Sequence, residues 1–265
     1  MGLVVFAFML PRPAQSAAPA PVQSVTASPV IEVSKVAPPS AEPEPEPEPP
    51  PPPSQSPTSQ VDCSQVPCVA LTFDDGPSAL DGQLLDQLAA LGVRATFFNT
   101  GQNSASRADQ VKRQVEEGHA VGGHSWNHQD MKRRTPQEAC DDAARTREAI
   151  KAASGVDTIL VRPPYGSWND AILAACVGQT FILWDVDTRD WDSHDVAQIT
   201  EHGVNDPKPG SIVLMHDTVP ETIEALPAIV AGLRAKGYEL VTVPELWNVP
   251  IAPGQAIYSG PRTGL

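Results

Sequence analysis

None of the four cysteines forms a C-x-x-C pair, which argues against a zinc knuckle or a thioredoxin-type redox site. No apolar run reaches the ~20 residues that a membrane span needs. Aromatic residues make up only 5% of the chain, and cations are scarcer than anions: 18 Lys and Arg stand against 32 Asp and Glu, a formal charge of −14. Such a chain repels phosphate backbones and anionic lipid, so its folded part is expected to bind neither nucleic acid nor an acidic membrane surface.

Proline is abundant but unevenly placed. Sixteen of the 29 prolines fall in residues 1–60, which leaves about 205 residues of ordinary composition, enough for one full-sized core. Leu3 to Leu10 is an apolar run followed by Pro11 and small residues through Ala20. That pattern resembles the hydrophobic and cleavage regions of a secretory signal, although no Lys or Arg precedes it, and a plain apolar terminus is the alternative. Ala41 to Pro53 reads A-E-P-E-P-E-P-E-P-P-P-P-P; it is too poor in apolar residues to fold and suits a spacer of up to about 130 Å in polyproline II. The expected layout is a signal-like or anchoring segment at 1–20, a Pro/Glu-rich linker at 21–62, a catalytic domain at 63–250 and a C-terminal tail at 251–265. An exported protein, secreted or tethered to the cell wall or membrane through its N-terminus, follows from that layout. In that setting Cys63, Cys68, Cys140 and Cys176 can pair in three ways. Cys63 and Cys68 could close a small loop, while Cys140 and Cys176 fall in expected helices, where buried thiols are the other option.

From Val69 onward, short β-branched or aromatic runs alternate with longer segments of helical period, the pattern of a parallel sheet covered by helices. Strands are expected at Val69–Phe73, Ala95–Asn99, Ala120–Gly123, Ile159–Arg162, Phe181–Asp185, Ile212–Met215 and Glu239–Val243. Helices are expected at Gln83–Leu91, Ala108–Glu117, Pro136–Ala153, Asn169–Cys176, Val196–Glu201 and Glu221–Lys236. Gly118 and Gly237 stand where helices should stop, and Thr135-Pro136 with Glu138 marks a start. Seven such units in about 180 residues imply an α/β fold, a distorted and incomplete (β/α)₇ TIM-like barrel. A doubly wound open sheet is the runner-up; no glycine-rich phosphate loop follows the first strand, so no nucleotide cofactor is expected.

On this scheme the unusual polar residues all fall at C-terminal strand ends: Asp74 and Asp75, His124 and His128, Arg162 and Tyr165, Asp187 and Asp190, and His216. In a β/α barrel those ends form one mouth. His124 and His128, spaced i, i+4, would share one side of a helical turn and could bind a cation with a carboxylate from another strand end. Two histidines plus Asp75 describe a catalytic zinc site, and equally a non-haem iron oxygenase. Asp74 and Asp75 could also be a turn pair before Gly76 and Pro77. Alternatively one binds metal while the other accepts a proton, which is metal-assisted hydrolysis. Arg162 could be a salt bridge at the rim of the core. The rigid Pro163–Gly166 turn could aim the Tyr165 N–H at a developing oxyanion. His216 is either a capping residue or a general acid, and a carboxylate such as Asp190 would orient it and keep it protonated.

Thr72–Asp75 (T-F-D-D), His124–His128 (H-S-x-x-H), Arg162–Tyr165 (R-P-P-Y), Asp187–Trp191 (D-x-x-D-W) and Leu214–His216 (L-x-H) closely resemble the five ordered motifs of the polysaccharide deacetylases, the nodulation-protein-type carbohydrate esterases. The resemblance runs from about Val69 to Leu246, without substitution at any motif position. It implies a distorted (β/α)₇ barrel that removes acetyl groups from N-acetylated or O-acetylated polysaccharide, peptidoglycan or chitin-type N-acetylglucosamine first, acetylated xylan as the alternative. Carried over, Asp74 would be the base, oriented by Arg162. Asp75, His124 and His128 would hold one divalent metal ion, zinc, with cobalt or nickel as substitutes. The Tyr165 amide would stabilise the oxyanion. His216 would be the acid, tuned by Asp190, and Trp191 and Leu214 would line the acetyl pocket. A rival of another class is a non-catalytic carbohydrate-binding domain, which would keep aromatics such as Trp126, Trp168 and Trp191 without needing every ligand and proton carrier. Few insertions separate the elements, so a shallow groove is expected.

Overall fold

All seven residues of the first strand, β1 (Cys68–Asp74), are buried, and they point alternately to two different cores. The computed structural model describes residues 61–247 and 249–262. The signal-like segment, the linker up to residue 60 and the last three residues lie outside the described residues. The other elements follow in the order α1 (Asp81–Leu91), β2 (Thr96–Asn99), α2 (Gly101–Ser106), α3 (Ala108–Glu116), β3 (Ala120–Gly123), α4 (Pro136–Ser154), β4 (Leu160–Val161), α5 (Asp170–Ala175), β5 (Thr180–Ile182), β6 (Val186–Asp187), α6 (Asp190–Ser193), α7 (Val196–Asn205), β7 (Ile212–His216), α8 (Pro220–Ala235), β8 (Glu239–Val241) and β9 (Ala256–Ile257).

The strands form one curled parallel sheet in the order β6-β7-β1-β2-β3-β4-β5-β9, with β8 beside the first half of β1. The curl makes an α/β half-barrel, a distorted (β/α) barrel as expected. Because side chains alternate along a strand, Val69, Leu71 and Phe73 join the outer core with Leu84, Leu85 and Leu88 of α1 and Leu226, Ile229 and Leu233 of α8. Ala70 joins the inner core with Phe98, Leu160, Ile182, Ile212 and Val241. Both faces of β1 are therefore dry, which is why it reads as a continuous apolar run. Burial of each such Leu, Ile or Phe contributes roughly 1.5–3 kcal/mol. Among the described residues no helix is long and apolar enough to cross a membrane.

Several expectations need correction. The strand expected at Phe181–Asp185 ends at Ile182 as β5, and a separate strand, β6, starts beyond it at Val186. The Asp185 carboxylate between them accepts from Ile212 N at 2.8 Å and Ser211 Oγ at 2.9 Å while its N–H donates to Ile212 O at 3.3 Å, so this residue turns the chain from β5 onto the start of β7. Residues 251–262 are more than a tail: β9 pairs with β5 at the end of the sheet, and Ser259 bridges to Ser211 before β7. The helix signals perform as expected. Thr135 and Glu138 form a reciprocal capping box on α4, and Gly118 and Gly237 take the left-handed φ of helix ends, 84° and 83°. Cys63 pairs with Cys68, and Cys140 pairs with Cys176, which ties α4 to the end of α5; the buried-thiol option does not hold.

Candidate active site

Strand register brings the chemistry together. Asp74 ends β1 directly beside His216, the last residue of β7, and Gly123 of β3 pairs with Val161 of β4. The next residues, His124 and Arg162, consequently emerge side by side, with Arg162 N donating to Gly123 O at 2.8 Å. Among the described residues, six non-glycine residues have φ in the left-handed region: Asp75, Ser125, His128, Tyr165, Arg189 and His194. All six lie in segments that follow β1, β3, β4 and β6. Each costs on the order of 1–2 kcal/mol, and that strain is concentrated around one cleft.

Arg162 is fully buried inside the barrel. Its Nη1 donates to Thr72 Oγ1 and Asp74 Oδ1, both at 2.7 Å, while Nε and Nη2 donate to Ile182 O and Leu183 O at 3.0 Å. Its guanidinium also lies 4.1 Å from the centre of the Phe98 ring. Burial pushes the Asp74 carboxyl above the usual carboxylate range, and the adjacent Arg162 charge opposes that rise. The rim salt bridge considered from sequence is thus an internal one, aimed at Asp74.

Asp75, His124 and His128 converge, with one ligand atom from each lying within 4.8 Å of the others. Asp75 Oδ1 is 3.6 Å from His124 Nε2 and 3.4 Å from His128 Nε2. It is buried and has no hydrogen-bond partner. His124 Nδ1 lies 2.7 Å from Arg162 O and so must donate, which leaves Nε2 bare toward Asp75. Burial holds His124 neutral, with its pKa lowered to about 3. An orphaned buried carboxylate oxygen facing two imidazole nitrogens fits a divalent cation, since tetrahedral ligands about 2.1 Å from an ion stand roughly 3.4 Å apart. The two histidines do not share a helical turn, contrary to expectation. Residues 124–128 form a turn in which Ser125 and His128 are left-handed, and that turn folds His128 back until the two rings are 4.9 Å apart.

His216 Nδ1 lies 2.8 Å from Asp190 Oδ1. Burial disfavours the imidazolium, but the bond to Asp190 and the negative charges of Asp190, Asp74 and Asp75 outweigh it and raise the His216 pKa to about 9. Tyr165 is 69% exposed, and its ring sits edge-on to His128, with ring centres 4.6 Å apart. Its turn is closed by Gly166 N to Pro163 O and Ser167 N to Pro164 O, which leaves the Tyr165 N–H outside the turn's own bonds. A cleft of about 600 Å³ is lined by Asp74, Asp75, His124, His128, Tyr165, Trp191, Leu214 and His216. Arg162 and Asp190 stand behind that lining.

Sequence reasoning missed Trp184, His194, Thr218 and Val219 in the cleft lining. It also missed Thr222, whose hydroxyl donates to Asp190 Oδ2 at 2.6 Å. Thr222 lies in the first turn of an apolar helix, where nothing in the local pattern distinguishes it from a helix-start residue. Trp126 and Trp168 are not at the cleft: Arg145 stacks on Trp126 at 3.5 Å, and Trp168 packs against Phe181.

Comparison with known proteins gives a consistent set. The sequence pattern of the family described as polysaccharide deacetylase matches residues 62–180. The chain is 37% identical over 191 residues to the peptidoglycan-N-acetylglucosamine deacetylase PgdA of Listeria monocytogenes, covering 72% of this chain but only 41% of that protein. It is 34% identical to the chitooligosaccharide deacetylase of a Bradyrhizobium species, covering 70% of this chain and 93% of the relative. Among solved structures, a family 4 acetyl xylan esterase from Clostridium thermocellum in complex with a cobalt ion superposes with a TM-score of 0.69 at 35% identity, covering 73% of this chain and 99% of that one.

Proposed function

The chain belongs to the polysaccharide deacetylase family, carbohydrate esterase family 4, and from that premise we propose that this hydrolase removes the acetyl group from N-acetylglucosamine in peptidoglycan or a chitin-type glycan. The observation that carries the reading is the meeting of three groups in one cleft: the Asp75–His124–His128 cluster, the Asp74–Arg162 pair and the His216–Asp190 pair. The name of the Listeria relative favours peptidoglycan and that of the Bradyrhizobium relative chitin oligomers.

Asp75, His124 and His128 would hold one divalent cation, zinc in our reading; the related esterase carries cobalt. When bound, the cation supplies Lewis acidity, polarising the acetyl carbonyl and making water more acidic. Asp74, kept basic by burial and aimed by Arg162, takes the proton of the water that attacks the acetyl carbon. The Tyr165 N–H donates to the carbonyl oxygen as negative charge builds on it. His216, with Nδ1 committed to Asp190, presents Nε2 to the leaving nitrogen and protonates it as the C–N bond breaks, releasing acetate and a free amine. Trp191 and Leu214 bound the space for the acetyl methyl group.

The same residues could split an acetate ester, whose alkoxide leaves more readily than an amine, and the name of the Clostridium relative favours acetylated xylan as the second reading. Two disulfides and a relative named for a cell-wall substrate support a protein that works outside the cytoplasm. Acetate release from peptidoglycan, chitin oligomers and acetylxylan, each with and without chelator, tests the whole reading. No release from any of them by protein loaded with zinc or cobalt would overturn it.

A further inference from the structure

A second cleft of about 540 Å³ adjoins the first, and His128 and Tyr165 line both. Its other walls are Gln129, Asp130, Arg133 and Arg134, and its character is polar where the catalytic cleft is largely apolar. Lys132, Arg133 and Arg134 are consecutive in a chain with only 18 cations, so the sequence places a concentrated positive charge here against its overall −14.

Nearby carboxylates hold Lys132 and Arg134, and Arg133 is the loosely held member of the run. Arg134 is committed: Nη1 lies 3.1 Å from Asp142 Oδ2, and Nη2 donates to Gln129. Asp130 Oδ1 accepts from Lys132 N at 2.9 Å, and a bond from Ser167 helps keep Asp130 ionised. Glu138 also faces the Arg134 charge. Arg133 has a side chain 87% exposed and a single loose approach of 3.7 Å from Nε to Asp130 Oδ2. The two Nη groups of Arg133 remain available, in the planar fork that suits a carboxylate.

We infer that this second cleft is a subsite for an anionic group on the polysaccharide, a carboxylate carried by a sugar near the one that loses its acetyl, with Arg133 as its charge partner. The inference rests on the deacetylase reading of the first cleft and narrows its substrate, because neutral chitin and xylan offer no such group whereas a glycan bearing a carboxylic acid ether does. Arg133 is here a specificity residue; it has no part in proton transfer. The polar walls and the continuity across Tyr165 allow one strand to lie in both clefts at once.

The test uses the full chain and three soluble oligomers: a glycan of alternating N-acetylglucosamine and its carboxylic acid ether, the same oligomer with the carboxylates converted to methyl amides, and chitotetraose. For Arg133→Glu, the ratio of kcat/KM on the acid oligomer to that on its amide should fall about tenfold, the range of an exposed charge-assisted contact. Arg133→Lys should recover part of that ratio. The loss should reside in KM and shrink as salt is raised. Calorimetric binding of the acid oligomer to the Asp74→Asn protein, with and without Arg133→Glu, reads the subsite without turnover. An unchanged ratio with unchanged binding overturns the subsite while leaving the deacetylase reading intact. Inactivity of the unaltered enzyme on all three oligomers would instead remove the premise.

Discussion

His216 Nδ1 and Asp190 Oδ1 are 2.8 Å apart, and the same carboxylate also accepts from His216 N, Trp191 N and Thr222 Oγ1. Four donors on two oxygens hold the Asp190 carboxylate in place, and it fixes the ring orientation of His216. The acid of the proposed reaction is thus held from behind by three segments: β7 itself, the start of α6 and the first turn of α8.

The pH dependence follows with a definite sign. His216 is raised to about 9 by Asp190 despite burial, and an acid works only while protonated, so activity should be present below its pKa and lost above it. A cation held by Asp75 would lower that pKa in every variant alike, so the expectation concerns the difference. Asp190→Asn should move the alkaline limb of kcat/KM down by roughly 1–3 pH units. An unmoved limb would mean that another group sets it.

The adjacent carboxylates should fail differently. Asp74→Asn keeps the cluster of Asp75 and two histidines but loses the proton acceptor, so turnover should fall by about 10² to 10⁴ with metal still bound. Asp75→Asn should weaken metal binding, and excess metal should recover part of its activity. Metal titration followed by acetate release compares them; the reverse pattern would exchange their roles.

Chelation should abolish activity, and Zn²⁺ or Co²⁺ should restore it. His124→Ala and His128→Ala should each release metal in equilibrium dialysis. Full turnover by exhaustively demetallated protein would contradict the mechanism.

Deleting residues 1–60 should leave turnover on small soluble oligomers unchanged, because the Pro/Glu-rich stretch has too few apolar residues to support the core. Loss of cooperative unfolding in that variant would show the boundary to be wrong.

Gly76 follows the carboxylate pair, and a methyl group there would sit 2.9 Å from Asn99 Oδ1 and closer still to Asp217 Oδ2. Asp217 Oδ2 accepts from Ser78 N at 3.0 Å and its N–H reaches Asp74 O at 3.3 Å, so the clash falls on the loop that carries the proposed base and a proposed ligand. Gly76→Ala should cost about 1–3 kcal/mol in urea unfolding, together with weaker metal binding. A variant as stable as the parent would show that the loop can shift.

Much of this arrangement is legible in the sequence, because aspartate, histidine and arginine at the ends of apolar strands stand out from their surroundings. The repeated alternation of strand and helix supplies the topology, and topology places those ends together. What escapes depends on contacts between distant segments. The break between β5 and β6 lies in F-I-L-W-D-V-D, a run that reads as one strand until the carboxylate of Asp185 is seen bonding to Ile212 N. The two-residue β9 has no period to detect. It is held by Phe181 N to Gln255 O and Leu183 N to Ile257 O. Helix α2, Gly101–Ser106, has no apolar stripe, and the fold back at His128 is a matter of φ, on which i, i+4 spacing is silent.

The four side-chain bonds of Arg162 reach partners 90, 88, 20 and 21 residues away in the chain. The bonds to Ile182 and Leu183 need only β4 beside β5, but the two to Thr72 and Asp74 close loops of about 90 residues and cannot form until β1 has joined them. Asp74 has no fixed orientation before that moment. During renaturation, acetate release therefore serves as a stopwatch for the last long-range closure, and it should lag behind signals that report only helix formation.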